Sequence, residues 1–248
     1  MTPPKPQVLL VAGHNNIEAI TNDGACPGRD FTSLRGSTGA HDERPWTGSF
    51  VGLLADALRA TGQVDATTVD AIYRPDVFAK HYALCLINHY HRDADTERAM
   101  FAAPDPSRSS LWISDAAEAQ AQRFVDRLVG GYTQATGIPV TQPLVTLNMT
   151  QIYTYCYVER ETPALCCEWG NANLDAAVLY ELGIARIVRF ARDCVLEHLD
   201  LTKVGDPPPA RRAGDVPPRA PPPQPVQTPV HAAAAQLRAI ADTLDKVA

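Results

Sequence analysis

The sequence predicts an α/β fold in which helices cover both faces of a mostly parallel, twisted sheet. Short apolar runs alternate along the chain with longer segments that have the hydrophobic spacing of helices. This alternation is typical of the strand–helix units that build a parallel sheet. The apolar runs are bounded by turn-forming or polar residues, as in strands that are buried on both faces. We therefore expect one α/β domain over residues 1–202.

Three of the apolar runs are predicted strands that each lead into a polar side chain. They are Gln7–Ala12, Leu84–Asn88 and Ala164–Cys167. The first leads through a glycine to His14, the second to His89 and the third to Glu168. In open α/β sheets, ligands bind in a crevice beyond the carboxyl ends of the strands. We therefore predict that these three side chains converge on one crevice, which indicates a zinc-dependent hydrolase.

Three longer segments are predicted helices. The first begins at Phe50 and ends near Gly62. The second begins at Asp115 with the spacing of a capping box and runs toward Gly130 and Gly131 or beyond. The third covers Leu174–His198 and has apolar residues available to face the sheet. The segment Asn15–Asp42 is rich in Gly, Asn, Asp, Ser and Thr, so we expect a loop that forms part of the site.

The composition changes abruptly after Leu201. Ten residues of the segment 203–230 are proline, a density that a packed strand or helix would not accept. We predict a semi-rigid, extended linker there. Residues 231–248 are predicted to form an amphipathic helix with apolar positions at Leu237, Ile240, Leu244 and Val247. Such a short helix is marginal alone, so we expect it to self-associate or to dock on a partner.

Charge and hydropathy exclude several classes of function. The net charge of -6 argues against a nucleic-acid or anionic-membrane surface, because either partner would need concentrated positive charge. No apolar stretch approaches the length of a membrane span, so membrane insertion is not expected. The N-terminus lacks the apolar core of a signal peptide. We therefore expect a protein that is made in the cytoplasm and reaches any outer compartment by another route.

The six cysteines do not have the pattern of a disulfide framework. Cys85, Cys166, Cys167 and Cys194 lie inside apolar runs, where free cysteine behaves as a small hydrophobe. No CxxC motif occurs, so a zinc site built from cysteines is not expected. Synthesis in a reducing compartment is the simpler explanation.

Four elements, taken in order, resemble one enzyme family. They are Gly13-His14, Glu43 before a helix, Ile87-Asn88-His89 and the run Pro163–Gly170. Their order and context are similar to those of the zinc N-acetylmuramoyl-L-alanine amidases of the amidase 3 type. These enzymes are cell-wall hydrolases found in bacteria and in phage endolysins, and the resemblance covers roughly residues 8–199.

The resemblance implies an activity and a set of site residues. His14, Glu43 and His89 would be the zinc ligands, and Glu168 would be the catalytic carboxylate. The bond cleaved would be the amide between the lactyl group of N-acetylmuramic acid and the L-alanine of the stem peptide. Together with the missing signal peptide, the resemblance favours a phage endolysin that is released at host lysis and acts on peptidoglycan.

The residue types suit this chemistry. Three protein ligands leave the fourth position of zinc open for water. A separate carboxylate must take the proton of that water and return it to the leaving amine. Glu168 follows a buried strand, where an acid is costly unless it has a function. Glu43 also has a simpler explanation, because acids are common at helix starts, where they interact with the helix dipole.

Two other functions are left open. A zinc carboxypeptidase-like peptide hydrolase would share a similar sheet and ligand set and would hold a free carboxylate with Arg92, Arg98 or Arg160. A non-catalytic cell-wall-binding module of the same fold would have no need of a base such as Glu168.

Several aromatic residues and one further histidine also have two interpretations. His91 would replace His89 as a zinc ligand if His89 does not bind the metal; otherwise it is expected to contact substrate or solvent. The aromatic side chains could line a sugar–peptide groove, although packing is their commoner role. They are Trp46, Trp169, Tyr153, Tyr155 and Tyr157.

Overall fold

One sheet organises the described part of the chain. The computed structural model describes residues 4–13, 43–70, 75–91, 98–104, 113–141, 158–180 and 183–201. Within these ranges the strands are β1 Gln7–Ala12, β2 Asp65–Asp70, β3 Leu84–His91, β4 Met100–Ala102 and β5 Ala164–Asn171. The helices are α1 Glu43–Arg59, α2 Pro75–Phe78, α3 Asp115–Thr136, α4 Ala176–Tyr180 and α5 Gly183–His198. None of these helices combines the length and the apolar character that crossing a membrane requires.

The strands have the spatial order β2-β1-β3-β5-β4. β2, β1, β3 and β5 are parallel, and β4 runs antiparallel to β5 at one edge. The three strands that were predicted from apolar runs are therefore direct neighbours. Their register pairs Ala12 with Asn88, and His89 with Glu168, so their carboxyl ends lie side by side. The predicted α/β fold with a mostly parallel sheet is confirmed.

Helices cover both faces of the sheet. Alternate residues of a strand point to opposite faces, and the buried strands carry apolar side chains on each face. One face, with Leu10 and Leu86, packs in a single apolar cluster with residues of α1, α3, α4 and α5. The other face, with Val11 and Ile87, packs against Phe78 of α2 and against the segment around the start of α3. The core thus lies on both sides of the strands whose ends carry the predicted site.

The first helix begins earlier than predicted. α1 starts at Glu43 rather than at Phe50. Pro45 does not prevent this, because a proline in the first turn has no intrahelical N–H bond to lose. A stripe of buried side chains runs the length of the helix at a spacing of four residues. It consists of Trp46, Phe50, Leu54 and Leu58.

The predicted second helix is confirmed. The predicted third helix is wrong as one continuous helix, because the structure has two helices in that stretch. α3 begins at Asp115 after Ser114, whose Oγ accepts the Ala117 N–H at 3.2 Å. The stretch predicted as one helix, Leu174–His198, contains α4 and α5. A β-carbon on Gly183 would lie 2.2 Å from the carbonyl oxygen of Val178. That close approach requires a glycine where the second of these helices begins.

Two strands, β2 and β4, were not predicted. β2 has the sequence DATTVD, and it lies at an edge of the sheet, where polar residues are tolerated. β4 has only three residues, which is too short for a periodic pattern to be recognised. Neither strand has an apolar run like those that identified β1, β3 and β5, the three strands that lie between β2 and β4.

The cysteine prediction is confirmed for the described residues. Cys85, Cys166, Cys167 and Cys194 are free and buried. Burial raises the pKa of the Cys85, Cys166 and Cys167 thiols, which keeps them protonated and unreactive. Cys26 and Cys156 lie outside the described residues, as do the predicted loop over residues 15–42, the proline-rich linker and the C-terminal helix.

Candidate active site

His89 and Glu168 lie beside each other at the carboxyl edge of the sheet. They are register partners at the ends of the neighbouring parallel strands β3 and β5. The pairing shifts just beyond them, between His89 and His91, which marks the point where the two strands cease to pair regularly. The convergence of these two side chains on one edge follows from the parallel order of the strands.

Glu43 reaches the same place from the helical layer. It is the first residue of α1, and its Oε1 lies 3.1 Å from Nδ1 of His89. The same oxygen accepts the backbone N–H of Tyr90 at 3.3 Å. The side chains of His89 and Glu43 are only 12% and 3% exposed. Glu43 is therefore a buried component of this site. An acid that only interacts with the helix dipole would not need to be buried.

The electrostatic surroundings of His89 are negative. Burial by itself lowers the pKa of His89, but the hydrogen bond with Glu43 and the charges of Glu168 and Glu43 raise it, and the net pKa is raised. Two carboxylates therefore act on one imidazole. A site with this field favours a positive charge, whether a proton or a metal cation.

Gly13 shapes the end of β1 next to this pair. Its N–H donates to the carbonyl of Asn88 at 2.9 Å, and its carbonyl accepts the Thr47 hydroxyl at 2.8 Å. A β-carbon at Gly13 would lie 2.1 Å from Cε1 of His89. The backbone thus runs against the imidazole directly before His14, and His14 itself lies outside the described residues.

The spacing of Glu43 and His89 fits that of two ligands in a zinc site. Two donors on one tetrahedral zinc ion, at bond lengths of about 2.0–2.1 Å, are about 3.3 Å apart. The 3.1 Å between Glu43 Oε1 and His89 Nδ1 is close to this value. Among the residues that the structure describes, no group of three or more His, Cys, Asp or Glu could hold a metal ion. The third predicted ligand, His14, is outside that set.

Several other predicted candidates have different roles. Trp46 and Trp169 are 4% and 0% exposed, so they pack in the core and do not line a groove. Arg98 donates through Nε and Nη2 to the carboxylate of Asp175, which is itself buried. This bidentate pair occupies the guanidinium that a carboxypeptidase would use to hold a free carboxylate. Arg160 is exposed.

The remaining predicted candidates lie outside what the structure describes. Arg92 and the three tyrosines are outside the described residues. His91 ends β3, and its side chain is not described.

Sequence reasoning missed two residues that support the site. Thr47 lies one turn after Glu43 and bonds to Gly13. Asp175 accepts the N–H of Asn171 at 2.9 Å and so braces the chain where β5 ends. Thr47 was not recognised, because it precedes the predicted start of the first helix at Phe50 and its partner Gly13 is 34 residues away along the chain. Asp175 precedes α4, where an acid is common for the helix dipole alone.

No family profile matches this sequence, and no curated protein matches it. Solved structures do match. Ami1, an N-acetylmuramyl-L-alanine amidase from Mycobacterium smegmatis, has a TM-score of 0.56 at 18% identity, over 79% of this chain and 97% of that one. An N-acetylmuramoyl-L-alanine amidase from Clostridium difficile 630 has a TM-score of 0.54 at 10% identity, over 80% and 98%.

The catalytic domain of CwlV, an N-acetylmuramoyl-L-alanine amidase from Bacillus (Paenibacillus) polymyxa var. colistinus, matches as well. Its TM-score is 0.52 at 13% identity, over 79% of this chain and 99% of that domain. At these identities, the similarity concerns the path of the backbone. This chain therefore has the fold of these amidases over almost their whole length.

Proposed function

We propose that this chain is a zinc-dependent N-acetylmuramoyl-L-alanine amidase that acts on peptidoglycan. The observation that carries the proposal is the buried pair of Glu43 and His89, with 3.1 Å between Oε1 and Nδ1. Glu168 is the register partner of His89 on the next strand. Two potential ligands and a separate carboxylate at one sheet edge are what metal-assisted amide hydrolysis requires. The amidases that share this fold support the choice of peptidoglycan as substrate.

Zinc would be held by His14, Glu43 and His89. Two imidazoles and one carboxylate suit this ion and leave one position open. When bound, zinc would polarise the scissile carbonyl and lower the pKa of a water molecule. The hydrogen bond from the Tyr90 N–H to Oε1 of Glu43 would fix the orientation of this carboxylate. An oriented ligand binds metal more tightly because less freedom is lost.

Glu168 would move the proton. Its carboxylate would accept a proton from the attacking water as the water oxygen bonds to the lactyl carbonyl carbon. It would then return that proton to the nitrogen of L-alanine as the carbon–nitrogen bond breaks. The products are a lactyl carboxylic acid on the sugar and a stem peptide with a free amino terminus. The backbone of Glu168 is held between β3 and β4, because it pairs with His89 on one side and with Met100 on the other.

The biological setting is part of the proposal. We propose a lysin of the endolysin type that meets the wall at host lysis. The segment 231–248 would add self-association or attachment to the wall. Repeated attachment points raise the effective concentration of an enzyme on a polymer without any new catalytic contact.

Product analysis tests the proposal. Purified peptidoglycan is digested with the protein, before and after chelation and zinc addition, and the products are identified by mass spectrometry and by labelling of amino groups. We expect new amino termini on L-alanine. Their formation should stop when the metal is chelated and resume when zinc is added. Release of C-terminal amino acids would instead support a carboxypeptidase. Retention on the wall without cleavage would support a non-catalytic binding module.

A further inference from the structure

One buried amide side chain connects the three strands that carry the candidate site. Asn88 lies on β3 directly before His89 and is 0% exposed. Its Nδ2 donates to the carbonyl of Val11 on β1 at 3.1 Å and to the carbonyl of Leu86 at 3.0 Å. Its Oδ1 accepts the indole N–H of Trp169 on β5 at 3.0 Å. Each of these partners belongs to a strand whose end is part of the site.

The partners define one orientation of this amide. An indole nitrogen only donates and a backbone carbonyl only accepts, so the Oδ1 atom must face Trp169 and the Nδ2 atom must face the carbonyls. Both hydrogens and the oxygen of the Asn88 amide are therefore used. The indole of Trp169 is also held by packing, with Phe50 and Phe101 at ring-centroid distances of 5.0 and 5.3 Å.

The position of this network relates it to the chemistry. Trp169 follows Glu168 directly, Val11 lies two residues before Gly13, and Asn88 precedes His89. The backbone carbonyl of Asn88 also accepts the Gly13 N–H at 2.9 Å. Because side chains alternate along a strand, Asn88 and Trp169 lie on the face covered by α1 while their neighbours form the site.

Packing alone does not explain an asparagine here. The surrounding cluster is apolar, and an amide is costly to bury unless every polar atom finds a partner. A leucine of similar size would fill the same space without that requirement. A fully bonded polar group in an apolar core fixes one geometry where apolar packing tolerates several.

We propose that Asn88 is a positioning residue for the reaction. Its amide sets the relative placement of the ends of β1, β3 and β5, and thereby of the metal-binding side chains and of Glu168. This inference rests on the proposed function. It assigns to Asn88 no contact with substrate or metal.

Four variants test the proposal in the full-length chain. Asn88→Leu removes the amide, and Trp169→Phe removes the indole donor but keeps an aromatic ring. The double variant removes both partners of one hydrogen bond. Leu84→Val is the matched control, because Leu84 is a fully buried residue of the same strand and face but has no part in the network. Zinc affinity is measured by chelator competition. The values of kcat and KM are measured on a soluble muropeptide, and Tm is measured by thermal unfolding.

We expect Asn88→Leu and Trp169→Phe each to lose roughly 10–100-fold in zinc affinity or in kcat, with KM little changed. Leu84→Val should lower Tm while zinc affinity and kcat stay at the wild-type level. The double variant should regain part of the Tm lost by Asn88→Leu, because no buried donor is left without an acceptor. It should not regain kcat or zinc affinity.

Other outcomes overturn the proposal. Wild-type zinc affinity and kcat in Asn88→Leu would do so, as would a double variant in which kcat recovers together with Tm. If Asn88→Leu does not fold, Trp169→Phe decides by the same measurements. If the wild-type protein cleaves no muropeptide, the proposed function fails, and the zinc affinities alone decide whether Asn88 positions the ligands.

Discussion

The backbone of Gly13 lies against the imidazole of His89 so closely that no side chain fits between them. A β-carbon at Gly13 would lie 2.1 Å from Cε1 and 2.2 Å from Nδ1 of His89, and 2.5 Å from the carbonyl oxygen of Asn88. The end of β1 and the end of β3 therefore interlock at the candidate site. A glycine is required here for space.

Gly13→Ala should displace His89 and weaken the metal site. We expect a loss of about 1–3 kcal/mol of unfolding free energy, as for other overpacked cores, together with loss of most bound zinc. Denaturant unfolding and elemental analysis measure these effects. Gly52→Ala is the control, because a β-carbon there meets nothing within 4 Å, and it should be neutral or stabilising by roughly 0.5–1 kcal/mol. Wild-type stability and zinc in Gly13→Ala would show that His89 does not depend on this contact.

The metal ligands can be tested by stoichiometry. We predict one zinc per chain in the wild type and loss of most of it in His14→Ala and in His89→Ala, because an incomplete coordination shell holds metal poorly. His81→Ala is a suitable control, since His81 is exposed and pairs with Glu159 at 2.9 Å. Elemental analysis of the purified proteins gives the answer. Stoichiometric zinc in both ligand variants would refute this assignment.

The cysteines should report on the integrity of the core. Cys85, Cys166, Cys167 and Cys194 are buried, so an aromatic disulfide reagent should not modify them in the native protein. With Cys26 and Cys156 replaced by serine, we expect no rapid labelling until denaturant is added, and then four thiols per chain. Rapid labelling of this variant under native conditions would mean that the sheet opens readily.

Truncation after Leu201 tests the role of the C-terminal segment. The strands and helices described here all end before this point, so the shortened protein should fold, bind zinc and hydrolyse a soluble muropeptide. We expect weaker lysis of whole walls and fewer chains per particle in light scattering if residues 231–248 self-associate. An unfolded or inactive truncation would place this segment in the catalytic domain. An unchanged number of chains per particle with unchanged wall lysis would show that the segment is dispensable.

The sequence predicted the central strands because each is an apolar run buried on both faces. It also predicted that His89 and Glu168 would meet, since parallel neighbours end at the same edge. It did not predict β2, whose polar residues suit an edge strand, or the order of the strands. Strand order depends on contacts between distant segments, and no local pattern encodes them.

The finer structure of the site depended on such long-range contacts. Glu43 and His89 are 46 residues apart and Asn88 and Trp169 are 81 apart, so their pairing emerges only when the sheet and α1 assemble. The aromatic residues show the same limitation. Trp46 was a candidate groove residue, yet its indole N–H donates to the carbonyl of Leu179 at 2.8 Å inside the core. Composition alone does not distinguish a packed tryptophan from one that lines a groove.

Turnover and zinc content of Glu168→Gln, measured on the same preparation, test the central claim most directly. Glutamine keeps the size of the side chain but cannot accept and return the proton. We predict one zinc per chain, an unchanged fold and a kcat lowered by about 10²-fold or more on a soluble muropeptide. Wild-type turnover would remove Glu168 from the mechanism, and loss of zinc would make it a metal ligand rather than the catalytic carboxylate.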